Sequence, residues 1–204
     1  MNHFSRAGLR PDHCAMIASA TIADARRDQA GVRWAFTSEY LGRRVGPVPI
    51  PLWLIRWVFR RVALVYGFVI IPRREQLVVG RAAALRRFGR LLHEGSPVGL
   101  TPEGAAPGAS GRLVEPPAGS GLFMATLART GVPLLPVGVF EEGRTLVVRF
   151  GAPFDLSLPD AVSRLEKDRS ARTAIMASIG ALLPREYRGA YEEIVAARPR
   201  PSAT

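Results

Sequence analysis

Two kinds of hydrophobic pattern alternate along this chain. In longer segments apolar residues recur at helical spacing, as Phe88 and Leu92 do within residues 81–93. In shorter segments apolar residues follow one another closely, as in residues 67–71, which end at Pro72. The first kind predicts helices at residues 12–25, 52–65, 81–93, 119–130, 163–183 and 186–197. The second predicts strands at residues 32–36, 67–71, 98–101, 132–140 and 145–150, with a Gly- and Pro-rich loop at residues 42–51.

The order of these elements predicts the fold class. Strands alternate with helices, and the strands are apolar on both faces, as the strands of a buried parallel sheet are. We therefore predict an α/β fold with a layered, mostly parallel sheet flanked by helices. The chain has no internal repeat, so residues 1–197 are predicted to form a single domain, followed by a Pro-rich flexible tail at residues 198–204.

The charge balance narrows the kind of partner. The chain of 204 residues has a formal net charge of +11, almost wholly from arginine, since Lys167 is its only lysine. Such a surface attracts phosphate-rich partners, of which nucleic acid and anionic membrane are the candidates. The single cysteine, Cys14, lies in an apolar run and is predicted to be a core residue. No apolar leader or membrane-spanning run is recognisable, which predicts a cytoplasmic location.

One segment combines tryptophans with arginines. It reads PLWLIRWVFRRVALVYGFVIIPRR and covers residues 51–74. On a helix Arg56 and Arg60 share a face, with Arg61 beside them, while the remainder, with Trp53, is apolar or aromatic. This pattern favours a helix lying in a membrane interface. The alternatives are a core helix whose arginines reach the surface and a nucleic-acid face; no nucleic-acid module accompanies the segment, so a nucleic-acid partner is not expected.

Several classes of catalytic site are excluded by the sequence. It contains no GxxxxGK[ST] phosphate loop, no GxSxG nucleophile elbow and no His/Cys cluster at metal-ligand spacing, so no metal site is predicted. Among the three histidines, His93 closes a predicted helix beside Glu94, where the helix dipole favours it, which indicates a structural role. His3 and His13 remain as candidates for acid–base chemistry.

Short motifs resemble one known family in their order and spacing. TPEG at residues 101–104 is followed by GVPLLPVGV at residues 131–139. Upstream, YGFVIIPRR resembles a strand that ends in an arginine, here Arg73 or Arg74, and downstream lie RFGAPFDL and LLPREYRGAY. Over roughly residues 30–195 the set resembles the glycerolipid (lysophosphatidic acid, PlsC-type) acyltransferases, whose blocks read Phe-Pro-Glu-Gly-Thr-Arg and Gly-Val-Pro-x-x-Pro. The resemblance implies a glycerol-3-phosphate acyltransferase-like fold.

The family's first block, Asn-His-x4-Asp, is only partly present. Asn2 and His3 match its start, but Gly8 stands where the aspartate is expected. His13 is the alternative histidine; it follows Asp12 instead of an asparagine and also lacks the later aspartate. With His3 as the histidine of this block, the family's first strand would precede it, so we expect a fold that lacks this N-terminal strand.

The resemblance implies a reaction and a role for each matching residue. A fatty acyl group would move from acyl-CoA or acyl-carrier protein to a hydroxyl of a lysophospholipid-like acceptor, at the cytoplasmic face of a phospholipid membrane and without another cofactor. His3 would be the general base that takes the hydroxyl proton. The substrate-binding positions would be Pro102, Glu103 and Gly104 in the acceptor site, Arg73 or Arg74 at an anionic group, and Gly131, Val132 and Pro133 along the far wall.

The chain departs from the family pattern at two places. Gly8 supplies no carboxylate to orient the histidine, for which Asp12 is a candidate replacement. Ala105 and Ala106 replace the usual Thr-Arg, which weakens the expected hold on an acceptor phosphate. Two hypotheses of this fold therefore stay open: a membrane-peripheral O-acyltransferase, and a catalytically degenerate lipid-binding or membrane-associated protein. A third hypothesis, a basic nucleic-acid-binding protein, rests on the charge and the aromatic residues alone.

Overall fold

The computed structural model describes residues 1–4, 11–27, 31–36, 44–45, 48–49, 51–71, 78–104, 111–159 and 162–197. The chain divides into two compact units. The terminal unit comprises Met1–Ala18 and Thr101–Thr204, and the central unit comprises Ser19–Leu100. The single domain at residues 1–197 stays a prediction, and the predicted tail at residues 198–204 lies outside the described residues.

The secondary structure follows the predicted order of helices and strands. The helices are α1 (Pro11–Ala25), α2 (Leu52–Tyr66), α3 (Val78–His93), α4 (Ser120–Ala128), α5 (Arg164–Gly180) and α6 (Glu192–Ala196). The strands are β1 (Arg33–Phe36), β2 (Arg44–Val45), β3 (Val48–Pro49), β4 (Val69–Ile70), β5 (Val98–Gly99), β6 (Val137–Glu142) and β7 (Thr145–Phe150). The short β2 and β3 occupy part of the predicted loop.

The central unit contains a parallel three-stranded sheet in the order β4-β1-β5, and α2 and α3 pack against it. Its register places Trp34 of β1 opposite Gly99 of β5. A Cβ on Gly99 would lie 2.5 Å from the Trp34 ring, so the indole covers the glycine directly. The indole N–H donates a hydrogen bond of 2.6 Å to the Ser19 hydroxyl, which fixes the ring against α1.

The terminal unit packs α4 against α5 beside the antiparallel hairpin β6–β7. Helix α5 begins with a capping box, in which the Ser163 hydroxyl and the Glu166 carboxylate each bond the other residue's backbone N–H. One turn later Asp168 accepts hydrogen bonds from the N–H groups of Gly119 and Leu122, at 3.0 and 2.9 Å. Asp168 therefore caps α4 from the side of α5, because the first N–H groups of a helix have no partner within it.

The parallel part of the fold is smaller than the sequence predicts. In the described residues β6 pairs with β7 antiparallel, as β2 does with β3, and parallel pairing is confined to the central sheet. Gly143 lies in the short turn between β6 and β7 with φ +62°, and a link of this length can only return the chain antiparallel. The α/β class is confirmed, with a three-stranded parallel sheet flanked by helices, while the two antiparallel pairs of the described residues lie outside that sheet.

Two predicted elements near the C-terminal half are wrong in their bounds. The strand predicted at residues 132–140 begins at Val137, because Pro133 and Pro136 have no N–H to donate to a ladder. The helix predicted at residues 186–197 is divided into short 3-10 turns, Arg185–Tyr187 and Gly189–Tyr191, followed by α6.

Gly189 explains why that segment bends. Its φ is +50°, and a Cβ there would lie 2.1 Å from the carbonyl oxygen of Leu113. The backbone at Leu113 is in turn held by its own N–H, which donates to the Tyr187 carbonyl at 2.9 Å. The close approach of two backbones requires glycine here and prevents a continuous helix.

Candidate functional site

His3 is presented by two buried neighbours. Asn2 and Phe4 are 1% and 0% exposed, while His3 between them is partly exposed. The Asn2 side chain donates to the carbonyl of Val139 at 2.8 Å and accepts from its N–H at 2.7 Å. The Phe4 ring packs edge-on against Tyr187, with ring centres 6.0 Å apart. The segment is thus fixed on both sides of the histidine.

The TPEG motif forms a tight turn. The Gly104 N–H donates to the Thr101 carbonyl at 3.0 Å, which closes a four-residue turn with Pro102 at its second position. Gly104 has φ +70°, a conformation that glycine adopts at little cost, and it is exposed. Pro102 and Glu103 are buried. The turn therefore sends the Glu103 side chain inward at the point where the predicted strand ends.

Glu103 meets the N-terminal segment across the terminal unit. Its Oε2 accepts a hydrogen bond from the backbone N–H of His3, and its Oε1 accepts one from the N–H of Val114 at 2.9 Å. Burial raises the pKa of the Glu103 carboxyl above its ordinary value, and these donors together with the Met1 amino group oppose that rise. The predicted base and the Pro-Glu-Gly turn are therefore in direct contact.

The structure separates the candidate histidines. His3 lies at Glu103, whereas His13 is exposed on α1. Cys14, the next residue of that helix, is fully buried, as predicted, with its sulfur 4.0 Å from the Phe4 carbonyl. The side chain of Asp12 and the whole of Gly8 lie outside the described residues. This arrangement favours His3 as the histidine of the site.

The predicted site residues other than His3 and the TPEG turn are not shown to contact Glu103. Gly131, Val132 and Pro133 are exposed in the link between α4 and β6, and Gly131 has φ +79°. Arg73 and Arg74, predicted to hold an anionic group, lie outside the described residues, as do Ala105 and Ala106. Their predicted roles stay predictions.

Sequence reasoning missed the residues that support the site. Val114 and Tyr187 carry no chemistry that would single them out, yet one donates to Glu103 and the other packs on Phe4. Tyr187 also donates its hydroxyl to the Glu141 carbonyl at 3.0 Å. The available signal was position alone, since Tyr187 lies within the motif LLPREYRGAY.

Helix α2 leaves a broad apolar surface uncovered in the central unit. Its inner side is formed by Ile55 and Ala63, which are buried. Trp53 and Trp57 are 69% and 53% exposed, and the Arg61 guanidinium lies 5.6 Å from the Trp57 ring centre. The other exposed side chains described on this helix are Leu54, Val58, Arg60, Arg61, Leu64, Val65 and Tyr66. We call all of these exposed residues the α2 surface.

Two negative findings apply to the described residues. No helix there is both long and apolar enough to cross a membrane. No cluster of His, Cys, Asp or Glu side chains in the described part of the chain is arranged to hold a metal ion.

Comparisons of the chain with models of protein families, with curated proteins and with solved structures find no match. The structure therefore defines the class alone: an α/β protein with a small parallel sheet flanked by helices. The relation to the glycerolipid acyltransferases stays a prediction from the motifs.

Proposed function

We propose that this protein is a membrane-peripheral O-acyltransferase that moves a fatty acyl group from acyl-CoA or acyl-carrier protein to a hydroxyl of a lysophospholipid-like acceptor. The observation that carries the proposal is the hydrogen bond from His3 to Glu103. These residues come from two motifs that are a hundred positions apart and were predicted to share one site. Unrelated chance matches to the motifs would have no reason to meet in the fold.

The placement of His3 suits a general base. A base has to be accessible to its substrate and held in one orientation. His3 is partly exposed, while its neighbours Asn2 and Phe4 are anchored in the core of the terminal unit. An imidazole also changes its protonation state near neutral pH, which allows it to take a proton and release it within one turnover.

The proposed reaction needs one base and no covalent enzyme intermediate. The His3 imidazole takes the proton of the acceptor hydroxyl as its oxygen attacks the thioester carbonyl carbon. The new C–O bond forms, the C–S bond of the donor breaks, and the thiolate leaves with the proton returned by the imidazolium. The products are the acylated acceptor and the thiol of the carrier, so atoms and charge balance.

The α2 surface supports a peripheral location on an anionic bilayer. Tryptophans favour the boundary between lipid headgroups and acyl chains, and arginines attract anionic lipids. The exposed Trp53 and Trp57 lie on the same helix as the exposed Arg60 and Arg61. The net charge of +11 adds a general attraction to negative lipid surfaces.

An acyl-transfer assay tests the proposed chemistry. Radiolabelled acyl-CoA and acyl-carrier protein are offered with a panel of lysophospholipids to the wild type, to His3→Ala and to His13→Ala. The His3→Ala variant keeps the backbone N–H that bonds Glu103, so its fold is expected to persist. We expect its rate to fall about 10²–10⁴-fold. His13→Ala is the matched control, because His13 is exposed, and it should transfer the acyl group at the wild-type rate.

The second candidate function is lipid binding without catalysis. Gly8 in place of the family's aspartate favours it, because a base without its orienting carboxylate loses much of its rate. Absence of transfer by the wild type with every donor and acceptor, combined with binding of lysophospholipids, would support this candidate. Equal transfer by the wild type and His3→Ala would instead remove His3 from the mechanism.

A further inference from the structure

Both carboxylate oxygens of Glu103 accept backbone hydrogen bonds. One comes from His3, a hundred positions earlier in the chain, and the other from Val114, 11 positions later. The carboxylate thus joins chain segments that local structure does not hold together. We call Glu103 and these two donors the carboxylate clamp.

The burial of Glu103 argues against a direct role in ligand binding. Glu103 is only 4% exposed, and each of its oxygens already has a backbone donor. A side chain that lines a substrate site has to present polar atoms towards the ligand, because a few convergent polar groups fix the orientation of what binds there. Glu103 instead directs its oxygens at the chain itself, so its geometry fits a support for other residues.

The clamp acts on His3 through the backbone. Asn2 is fixed by its paired bonds to Val139, and Phe4 is fixed by its packing on Tyr187. The bond to Glu103 fixes the N–H of the residue between them. With three successive residues anchored, the direction in which the imidazole leaves the backbone is determined, which is what a reacting group requires.

We propose that Glu103 is a positioning residue for His3 and not an acceptor-binding residue. Its carboxylate holds the His3 backbone against the segment at Val114 and contacts neither the acceptor nor the acyl donor. The role of the imidazole in this inference rests on the proposed function. The clamp itself is a property of the folded chain and can be measured without turnover.

The first test removes one acceptor from the clamp. Glu103→Gln keeps nearly the same shape, but its amide has one acceptor oxygen, and its NH2 group would face a backbone N–H. NMR of the labelled full chain follows the amide protons of His3 and Val114. We expect at least one of them to exchange with solvent roughly tenfold faster, or more, than in the wild type. The exposed Glu142→Gln on β6 is the matched control and should leave both unchanged.

The second test separates positioning from acceptor binding. If Glu103 positions His3, Glu103→Gln lowers kcat and leaves the KM for the acceptor close to the wild-type value. If Glu103 contacts the acceptor, that KM rises while kcat is retained, which would overturn the proposal. Glu103→Asp keeps the charge on a shorter side chain and is the second variant, to be used if Glu103→Gln fails to fold. We expect it too to lower kcat and to leave the acceptor KM close to the wild-type value.

The two tests fail independently. Wild-type exchange of both amides in a folded Glu103→Gln variant overturns the clamp, whatever the activity. A wild type that transfers no acyl group contradicts the proposed function alone, and the amide exchange then still decides whether Glu103 holds the His3 backbone.

Discussion

The side chain of Asn2 pairs with the backbone of Val139 as another strand would. Its amide donates to the Val139 carbonyl at 2.8 Å and accepts from the Val139 N–H at 2.7 Å. Val139 belongs to β6, whose other edge pairs with β7, so the asparagine satisfies both polar groups of a buried strand residue. A donor and an acceptor are both needed at this position, which an asparagine supplies and an aspartate does not.

The first prediction concerns Asn2→Asp. Near neutral pH the introduced carboxylate faces the Val139 carbonyl with no hydrogen to donate, so we expect a loss of about 2–4 kcal/mol in the free energy of unfolding. Protonation of the introduced carboxyl restores a donor, and its pKa is raised because only the protonated form fits. The loss should therefore shrink as the pH falls from 7 to 5, measured by urea unfolding.

Asn2→Ala is the control for this pH dependence. It removes the same hydrogen bonds without adding a titrating group, so its loss relative to the wild type should be the same at both pH values. A loss in Asn2→Asp that is equally independent of pH would contradict the paired geometry.

The second prediction concerns the arginines of the α2 surface. The double variant Arg60→Gln with Arg61→Gln should bind vesicles of equal parts phosphatidylcholine and phosphatidylglycerol roughly 30-fold more weakly. Each arginine near an anionic surface contributes about 1 kcal/mol to the binding free energy, and the variant loses two. Arg86→Gln with Arg87→Gln, exposed on α3, removes the same charge elsewhere and should have a smaller effect. Equal weakening by both pairs would mean that net charge, and not the α2 surface, determines binding.

The third prediction concerns the tryptophans of the same helix. Trp34 is buried, whereas Trp53 and Trp57 are exposed, so only the latter two should change environment when vesicles are added. We expect a blue shift of tryptophan emission that is lost in Trp53→Phe with Trp57→Phe. An unchanged emission of the wild type on vesicles that it binds would show that another surface meets the lipid.

The fourth prediction concerns Asp168. Burial by itself raises the pKa of this carboxyl, but the N–H groups of Gly119 and Leu122 and the Arg172 guanidinium outweigh it, so the pKa is lowered from 3.8. A lowered pKa stabilises the fold at pH values above 3.8, and this contribution is lost as the pH falls through the lower folded-state value. Asp168→Asn should lower the free energy of unfolding by about 2–3 kcal/mol at pH 7, as measured by urea unfolding.

The pH series provides the check on Asp168. The difference in the free energy of unfolding between the wild type and Asp168→Asn should be constant at neutral pH. It should become smaller below pH 3.8, where the wild-type carboxylate is increasingly protonated. Asp155→Asn is the matched control, because Asp155 is exposed, and its effect should stay within about 0.5 kcal/mol. A difference for Asp168→Asn that does not narrow in acid would contradict the charged cap.

The fifth prediction concerns Gly189→Ala. The added Cβ would clash with the Leu113 carbonyl oxygen, and the positive φ would add backbone strain. We therefore expect the free energy of unfolding to fall by about 2–5 kcal/mol. Gly143→Ala has a similar φ of +62° but open space around its Cβ, and it should lose only about 1–2 kcal/mol. Thermal unfolding of the two variants measures the difference, and equal losses would mean that the contact at Leu113 yields without cost.

The candidate site was predictable only in part. The motifs identified His3 and Glu103, because residue types with known chemistry occur there in a recognisable order. They did not reveal that Glu103 accepts from two backbone N–H groups, since every residue except proline offers such a donor. The expected acceptor-site role of Glu103 was implied by the family resemblance, whereas its burial and its backbone partners support our proposal that it holds the chain.

The sequence by itself determined the local elements: the spacing of apolar residues located the helices and the short apolar runs located the strands. It also determined that α2 would combine tryptophans with arginines. Only the tertiary structure decided that Asn2 pairs with Val139, that Glu103 meets His3, and that Gly189 lies against Leu113. The physical reason is distance along the chain: periodicity reports interactions within a few residues, whereas these contacts join segments whose meeting depends on how the whole terminal unit packs.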